Sequence, residues 1–363
     1  MFLSFLRKYR NMILASAFFF YIGCFLTLNF LRLDCVNAVS TKATSDSSST
    51  AKYEYVVLII SGPDNEIKRD AIRGSWVKLA RNIFTVNNKV LYKWNHTWNS
   101  VQMQQEIVKY YFVIGTKNLN QHKMFKLKNE QNKDNDLLLL DNLEDSYKNL
   151  SGKMLLALKW IHNNIKELKY LIKCDDDSFV RIDLIVKNLE EYGPEMNAPE
   201  LVDFITFKKI LPPFKGLYWG YFNGQAKVYM TGKWEEKDWF LCDRYLPYAL
   251  GGGYVISQSI VEYISRNADL LSSYNSEDVS MGVWTAPLNG INRVHDTRFD
   301  TEWKSRGCSK DMLVRHKQSP SDMFELYKTL IHTHGEKFCK IENTERFSYF
   351  YNWNGLPSQC CKA

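Results

Sequence analysis

Short apolar runs rich in β-branched and aromatic residues alternate with segments of helical spacing along most of this chain. The predicted strands are 53–60, 111–114, 137–140 and 170–172, and the predicted helices are 68–79 and 147–165. Continuous apolar strands that alternate with helices are typical of a mainly parallel sheet with helices on both faces. We therefore expect an α/β domain whose ligands bind at the carboxyl ends of the strands.

The N-terminal region adds a constraint on location, because residues 11–31 contain no charged side chain. A stretch of this length can span a hydrocarbon core of roughly 30 Å as a helix. We predict a membrane anchor here, and a secretory signal cleaved near 36–38 is the alternative. Basic residues among positions 1–10 then predict a cytoplasmic tail, so that the rest of the chain crosses the membrane as a single-pass type II protein.

Residues 32–52 are rich in Ser, Thr and Ala, which predicts a flexible stem, and 53–363 then predict one luminal domain. Glycosylation sequons at Asn95 and Asn149 and several cysteines fit an oxidising lumen. The sequence does not determine how these cysteines pair, and the lack of a Cys-x-x-Cys motif disfavours a zinc site. The cysteines of residues 53–363 are Cys174, Cys242, Cys308, Cys339, Cys360 and Cys361.

Charge and composition narrow the function classes only a little. The net charge of +7 is modest for 363 residues, and no long basic tract is present. Nothing in the charge requires a nucleic-acid partner, and we expect none. Aromatic residues make up 14% of the chain, which suits a protein with ring-stacking ligand sites.

An acidic triplet, Asp175-Asp176-Asp177, directly follows the apolar run that ends at Cys174. In an extended chain Asp175 and Asp177 point to one side and Asp176 to the other. Two carboxylates at the end of a strand form a site of hard oxygen ligands for Mg²⁺ or Mn²⁺. Phosphate oxygens usually complete the coordination shell of such a metal. The alternative interpretation is a solvated acidic turn. The apolar segments on both sides of the triplet argue against this alternative.

Two further charged pairs each have two interpretations. Glu277 and Asp278 lie at the start of a predicted helix. They are either an N-terminal cap with a first-turn acid, or they include a general base. Arg69 and Arg73 lie four residues apart on one helix face, where they either hold a pyrophosphate or face solvent.

A glycine triplet and one histidine complete the candidates. Gly251, Gly252 and Gly253 allow close approach of the backbone to a ligand. His316 matters if the fold brings it to the carboxylates, because imidazole readily joins them on Mn²⁺.

In this order the motifs resemble the β-1,3-galactosyltransferase family, from residue 53 to the C-terminus. The order makes the resemblance more specific than any single motif. It implies a Rossmann-like GT-A fold behind the anchor, UDP-galactose as donor, Mn²⁺ as cofactor and a place in the Golgi membrane. The resembling segments are RDAIRGSW (69–76), YFVIG (111–115), DSYKNLSGK (145–153), KCDDDSFV (173–180), YALGGGYVIS (248–257) and EDVSMG (277–282).

The second half has a narrower resemblance, to the enzymes that add the second galactose of the glycosaminoglycan–protein linkage region. It implies that the acceptor is the galactosyl-xylosyl-serine primer of a proteoglycan core protein. The segments concerned are 218–220, 241–243, 245–250, 295–309 and 357–361.

The resemblance also implies roles for single residues. Asp278 falls on the catalytic base, Asp177 and His316 on metal ligands, and Asp175 near the donor ribose. The remaining candidates are Arg69, Arg73 and Lys153 near the nucleotide-sugar, and Trp219, Gly252, Gly253 and Glu277 on the acceptor side.

The expected reaction inverts the configuration at the sugar. Asp278 would deprotonate O3 of the acceptor as it attacks C1 of galactose, and UDP leaves without a proton when its charge is neutralised. One alternative is a sister transferase specific for N-acetylglucosamine or N-acetylgalactosamine. Another is a catalytically inactive, membrane-tethered glycan-binding protein, although the intact acidic residues and His316 argue against it.

Overall fold

The computed structural model of the protein describes residues 53–86, 89–92, 94, 107–197, 201–202, 209–210 and 215–362. The anchor predicted at 11–31, the stem at 32–52 and the sequon at Asn95 lie outside them. The described residues fall within one compact unit, Thr50–Ala363. In this part of the chain we find no helix that combines the length and the apolar character needed to cross a membrane.

A seven-stranded sheet forms the centre of this unit. Of its strands only β11 runs against the others, so the carboxyl ends of the rest lie at one edge of the sheet. In spatial order the strands are β12 (Ile291–His295), β10 (Gly216–Asn223), β11 (Tyr248–Ser257), β6 (Tyr170–Asp175), β1 (Tyr55–Ile60), β4 (Val108–Gly115) and β5 (Leu137–Leu140).

Helices cover both faces of the sheet. On one face lie α1 (Glu66–Gly74), α2 (Gln121–Asp134), α4 (Ile182–Asn197) and α7 (Pro320–His332). On the other face lie α3 (Leu150–Asn164), α5 (Gln258–Asn267) and α6 (Glu277–Thr285).

Short strands and 3₁₀ turns complete the described secondary structure. The short strands are β2 (Ile83–Val86), β3 (Lys89–Tyr92), β7 (Phe179–Val180), β8 (Leu201–Val202), β9 (Lys209–Ile210), β13 (Phe299–Asp300), β14 (Gly307–Cys308), β15 (Val314–Arg315), β16 (Asn343–Thr344), β17 (Phe350–Tyr351) and β18 (Cys361–Lys362). The 3₁₀ turns are Trp76–Asn82, Tyr147–Asn149, Ala268–Leu270 and Pro357–Gln359. Strands β13, β15 and β7 pair beside the carboxyl end of β6, where they position the site described below.

Strand β1 shows why the predicted strands are continuously apolar. Val57 and Ile59 belong to the core beneath α1 and α4, whereas Val56 and Leu58 belong to the core beneath α3 and α5. Because side chains alternate along a strand, a sheet buried on both faces requires apolar residues at every position. The predicted α/β architecture is therefore confirmed.

The helix predicted at 68–79 ends earlier than expected. Helix α1 stops at Gly74, and a 3₁₀ turn follows. A Cβ at position 74 would lie 2.6 Å from the ring of Phe324 in α7. The close packing of α7 against this point explains the glycine, which helical periodicity alone could not indicate.

The two arginines of α1 hold the fold together, which corrects the expectation that they hold a pyrophosphate. Arg69 is fully buried, and its guanidinium donates to both carboxylate oxygens of Glu130 at 2.7 Å. Arg73 donates to both oxygens of Asp136 at 2.8 Å and to Glu130 at 2.6 Å. Neither guanidinium is free to contact a nucleotide.

We expect Arg69→Met to lower the free energy of unfolding by about 3 kcal/mol, because it removes one partner of a buried ion pair. Chemical denaturation measures this loss. Lys123→Met is the matched control, since Lys123 forms an exposed pair with Asp64 that should contribute less than about 1 kcal/mol. A normal stability together with weakened nucleotide binding in Arg69→Met would contradict the structural role.

The described cysteines pair in two places. Cys308 and Cys339 form a disulfide between β14 and the segment that follows α7, and the adjacent Cys360 and Cys361 form another. Cys174 is free and buried, and Cys242 is free and exposed.

Candidate active site

Two carboxylates and one imidazole converge at the carboxyl end of β6. Strand β15 pairs with β7 so that Arg315 lies opposite Phe179, which brings the next residue, His316, beside the acidic triplet. Nε2 of His316 lies 2.9 Å from Oδ1 of Asp177 and 3.5 Å from Oδ2 of Asp175. One potential ligand atom from each of these three side chains lies within 4.8 Å of the others.

The middle aspartate of the triplet faces away from this cluster. The Asp176 carboxylate accepts hydrogen bonds from Oγ of Ser61 at 2.9 Å, from Nδ2 of Asn65 at 2.7 Å and from Nζ of Lys68 at 2.9 Å. The expectation that the first and third aspartates share one side is thus confirmed. Asp176 instead ties β6 to the start of α1.

The surroundings of the His316 ring indicate whether a cation fits at this cluster. Both of its ring nitrogens are buried without an aligned hydrogen bond, although two carboxylates lie close by. A Cβ at Gly252 would lie 2.6 Å from Nδ1 of His316, so the glycine makes room for the ring. Two carboxylates and an imidazole are a suitable donor set for a divalent cation. The residues present therefore fit a metal ion.

The charges of the cluster stabilise one another despite burial. Burial alone would raise the pKa of Asp175, but Lys173 and His316 hold it well below its usual range. His316 outweighs burial in the same way and lowers the pKa of Asp177. Burial would lower the pKa of His316, but the two carboxylates raise it to about 9. Both carboxylates are therefore ionised at neutral pH.

A buried lysine in β6 connects this cluster to a second acidic group. Nζ of Lys173 lies 3.0 Å from Oδ1 of Asp175 and 2.9 Å from Oε2 of Glu277, and it donates to the carbonyl of Gly251 at 2.6 Å. These partners raise the pKa of Lys173 above its usual value although burial opposes them. Sequence reasoning missed Lys173, although a lysine inside an apolar run was a signal that could have indicated it.

Asp278 lies at the start of α6, where the main chain holds its carboxylate. The N–H of Gly251 donates to Oδ2 and the N–H of Val279 donates to Oδ1, both at 2.9 Å. Gly251 lies in an irregular part of β11, where the register with β10 shifts between Gly220 and Phe222. The glycine triplet thus brings the backbone close to an acidic side chain.

The surroundings of Asp278 make it easier to protonate than an ordinary aspartate. Burial and the neighbouring Glu277 raise the pKa of Asp278 to about 6, and Lys173 with the two N–H donors limits the rise. A carboxyl group with such a pKa is suited to take up a proton near neutral pH.

Asp278 borders the same cleft as Asp175 and His316, two members of the metal-site cluster formed with Asp177, and the cleft has a volume of about 270 Å³. Aromatic rings, most of them on surrounding loops, form much of its wall, and Lys233 and Lys317 add positive charge. The aromatic residues are Tyr147, Tyr229, Trp234, Tyr245, Tyr248 and Trp303. Sequence reasoning missed these side chains, and the high density of aromatic residues in 218–248 was the available signal for four of them.

Lys153 and Trp219 do not border the cleft, which corrects two further expectations. Nζ of Lys153 is buried, where it donates to Asp145 at 2.6 Å and to the carbonyl of Ser61 at 2.5 Å. Trp219 is buried in the core, and its indole N–H donates to Asp296 at 3.0 Å.

Two of the other acceptor-side candidates are also engaged within the protein. Glu277 is buried between Lys173 and Tyr254, whose hydroxyl donates to it. A Cβ at Gly253 would lie 2.9 Å from Val314, so this glycine serves packing. Gly252 does border the cleft.

The sequon residue Asn149 lies in the 3₁₀ turn before α3. Its Nδ2 donates to the carbonyl of Glu144 at 2.9 Å, and the sequon residue Ser151 is buried, where its hydroxyl donates to the carbonyl of Tyr274 at 2.5 Å. Glycosylation at Asn149 remains a prediction.

Comparison with known proteins places the chain in a family. A family model described as galactosyltransferase matches residues 67–297, a range that includes the acidic triplet and Asp278. The chain belongs to the galactosyltransferase family. The predicted resemblance to β-1,3-galactosyltransferases is therefore confirmed, and the protein is a glycosyltransferase. His316 lies beyond the matched range.

Several curated proteins are similar in sequence. Mouse beta-1,3-galactosyltransferase 6 is 37% identical over 339 residues, which cover 93% of this chain and 92% of that protein. The UDP-GalNAc:beta-1,3-N-acetylgalactosaminyltransferase 2 of Xenopus laevis is 30% identical over 187 residues, 52% of this chain and 34% of that protein. An Arabidopsis thaliana hydroxyproline O-galactosyltransferase is 34% identical over 168 residues, 45% of this chain and 21% of that protein.

Solved structures show weaker similarity. The S. aureus TarS 1–349 structure has a TM-score of 0.34 at 11% identity and covers 77% of this chain and 65% of its own. The galactosyltransferase LgtC, in complex with donor and acceptor sugar analogs, has a TM-score of 0.30 at 9% identity and covers 80% of this chain and 98% of its own.

Proposed function

We propose that this protein is an inverting β-1,3-galactosyltransferase that uses UDP-galactose. Its acceptor is the galactosyl-xylosyl-serine primer of proteoglycan core proteins, so it acts in glycosaminoglycan linkage-region synthesis. The observation that carries the proposal is one cleft bordered both by a candidate base, Asp278, and by Asp175 and His316 of the metal-site cluster. The 37% identity to a β-1,3-galactosyltransferase supports the sugar and the linkage.

Asp278 acts as the general base in this proposal. Each of its carboxylate oxygens accepts one main-chain hydrogen bond, which leaves a further lone pair on each for the acceptor hydroxyl. As O3 attacks C1 of galactose, Asp278 takes its proton and the C1–oxygen bond to UDP breaks. Inversion follows because the acceptor attacks from the side opposite the leaving group.

Asp177 and His316 hold the metal, and Asp175 lies beside the donor ribose. A divalent cation such as Mn²⁺ held there would neutralise the charge that develops on the diphosphate of the leaving UDP. Nζ of Lys317 lies 3.2 Å from Oδ2 of Asp177 and adds a second positive charge at this end of the cleft. With its charge neutralised in this way, UDP would need no proton to depart.

The fold and the location belong to the same proposal. The mixed sheet with its acidic turn after β6 is consistent with a GT-A fold of Rossmann-like type. The uncharged stretch 11–31 supports a single-pass type II protein of the Golgi membrane, with the catalytic domain in the lumen.

A donor comparison tests the function. Full-length protein in detergent is incubated with Mn²⁺ and a β-1,4-galactosyl-xyloside, and UDP-galactose, UDP-N-acetylglucosamine and UDP-N-acetylgalactosamine are offered separately. A β-1,3-galactosyl product from UDP-galactose alone is expected. Transfer from another donor would overturn the sugar assignment, and binding of the galactoside without any transfer would favour a glycan-binding protein.

The rate of transfer should depend on pH through the ionisation of Asp278. Only the ionised carboxylate accepts a proton, and its pKa is about 6. We therefore expect kcat/KM to rise as the pH increases through about 6 and then to level off, since this ratio reports the free enzyme. A profile measured at saturating metal that stays flat across this range would contradict the assignment of the base.

A further inference from the structure

Two tryptophans from separate loops meet at the wall of the cleft. Trp234 lies between β10 and β11, and Trp303 lies between β13 and β14. Their rings contact edge to face with centroids 5.7 Å apart, and both border the cleft. Trp303 is 68% exposed. An indole so open to water, beside a reaction centre, is available to a ligand.

The loop that carries Trp234 is tied to the start of the base helix. Nδ2 of Asn275 donates to the carbonyls of Lys233 and Glu235 at 3.3 and 3.0 Å, and its N–H donates to Glu236 at 2.6 Å. Because Asn275 lies three residues before Asp278, the indole of Trp234 has a defined position relative to the base.

Neighbouring rings fix Trp234 further. Its indole contacts the ring of Tyr229, with centroids 5.6 Å apart, as well as the ring of Trp303. The ammonium of the adjacent Lys233 lies 4.6 Å from the ring centroid of Tyr147. Trp234 is thus held by these neighbours in addition to the hydrogen bonds of Asn275, as a substrate platform requires.

The chemistry of the cleft wall indicates what kind of ligand enters. Thr301 is only 4% exposed and borders the cleft, and its Oγ1 has no hydrogen-bond partner within the protein. An unsatisfied buried hydroxyl is costly unless a ligand or water completes it. Aromatic faces beside a buried hydroxyl that lacks a partner suit a pyranose, which has an apolar C–H face and a rim of hydroxyl groups.

We infer that Trp234 is the platform for the terminal galactose of the acceptor and selects galactose over its C4 epimer, glucose. The inference rests on the proposed function, because that function requires the nucleophilic O3 of the acceptor to lie at Asp278. Trp234 is the indole whose loop is anchored beside Asp278. In galactose the axial O4 leaves the C–H groups at C3, C4 and C5 on one apolar face. In glucose the equatorial O4 interrupts that face, so stacking on an indole is weaker.

Saturation-transfer NMR on the full-length protein with UDP tests this. In the wild type, the H3, H4 and H5 protons of a β-galactosyl-xyloside should receive the strongest saturation. The galactoside should bind more tightly than the matched β-glucosyl-xyloside. Trp234→Ala should weaken binding of the galactoside by roughly 10-fold, the usual effect of losing one aromatic contact, and should reduce the preference over the glucoside.

Two further variants separate recognition from folding. Trp234→Phe should restore part of the preference, because a smaller aromatic face remains. Phe240→Ala, which removes an exposed ring from the same loop (79% exposed), should leave the preference unchanged. UDP binding and Tm should stay normal in all three variants.

The outcomes distinguish the inference from the proposed function. An unchanged preference in Trp234→Ala, or a wild type that binds both glycosides equally or neither, overturns the inference. A wild type that binds the galactoside through Trp234 but transfers no galactose would support the inference while overturning the proposed reaction.

Discussion

Asp278→Asn is expected to lower the turnover number by about 10²–10⁴-fold, the usual contribution of a positioned base. Asparagine keeps a side-chain oxygen that can accept from the N–H of Gly251, but it cannot take up the acceptor proton. The KM for UDP-galactose should change little, because the metal-site cluster is intact. Initial rates of galactose transfer measure both quantities.

The same substitution should not destabilise the protein. The folded-state pKa of Asp278, about 6, lies above the usual aspartate value, so the folded state binds this proton more tightly than the unfolded state does. The stabilising effect of the group is therefore complete below about pH 4 and is lost as the pH rises through about 6. At neutral pH an uncharged asparagine should leave Tm equal or slightly higher.

Glu277→Gln is the matched control for this experiment. It removes a charge next to the base, so the pKa of Asp278 should fall and the pH profile should move to lower pH. It also weakens the pairing of the buried Lys173, which should lower Tm. Near-normal turnover in Asp278→Asn, or a loss in Glu277→Gln as large as the loss in Asp278→Asn, would contradict the assignment of the base.

Asp177→Ala is expected to abolish the metal-dependent binding of UDP. Asp177 supplies a carboxylate oxygen 2.9 Å from Nε2 of His316, and its removal leaves only Asp175 and His316 of the cluster. Even outer-shell partners of metal ligands are worth roughly 10–100-fold in metal affinity, so the loss of a direct ligand should exceed that range. Calorimetric titration of UDP with and without Mn²⁺ measures the effect.

Asp176→Asn provides the control within the same triplet. Asp176 binds Ser61, Asn65 and Lys68 rather than the metal-site cluster. Its substitution should lower stability, because it weakens the ion pair with Lys68, and should leave the metal dependence of UDP binding in place. Unchanged UDP–Mn²⁺ affinity in Asp177→Ala would remove Asp177 from the metal site.

The parts of the site that sequence reasoning found are those fixed by local geometry. Asp175 and Asp177 share a side because side chains alternate at the end of a strand, and the triplet directly follows a recognisable apolar run. The position of His316 depended on the family resemblance, since it reaches the triplet through the pairing of β15 with β7. No spacing within the sequence could have shown that pairing.

The corrected residues are those whose partners lie far along the chain. The binding partner of Arg69 is Glu130, which is 61 residues away, and a paired arginine has the same sequence pattern as a free one. Trp219 was ambiguous for a similar reason, because a tryptophan in a strand suits the core as well as a ligand site. Trp234 and Trp303 were missed because loops carry no periodicity.

The hydrogen bond from Gly251 to Asp278 has a consequence for how such an enzyme can change over time. The proposed base is held by main-chain N–H groups and the proposed cation ligands project from strand ends, so neither depends on the identity of the side chains in the surrounding loops. Most of the wall that would meet the acceptor lies on those loops, which tolerate substitution better than the sheet does. A descendant of this chain could therefore acquire a new acceptor by exchanging a few loop aromatics, while its reaction chemistry is inherited unaltered.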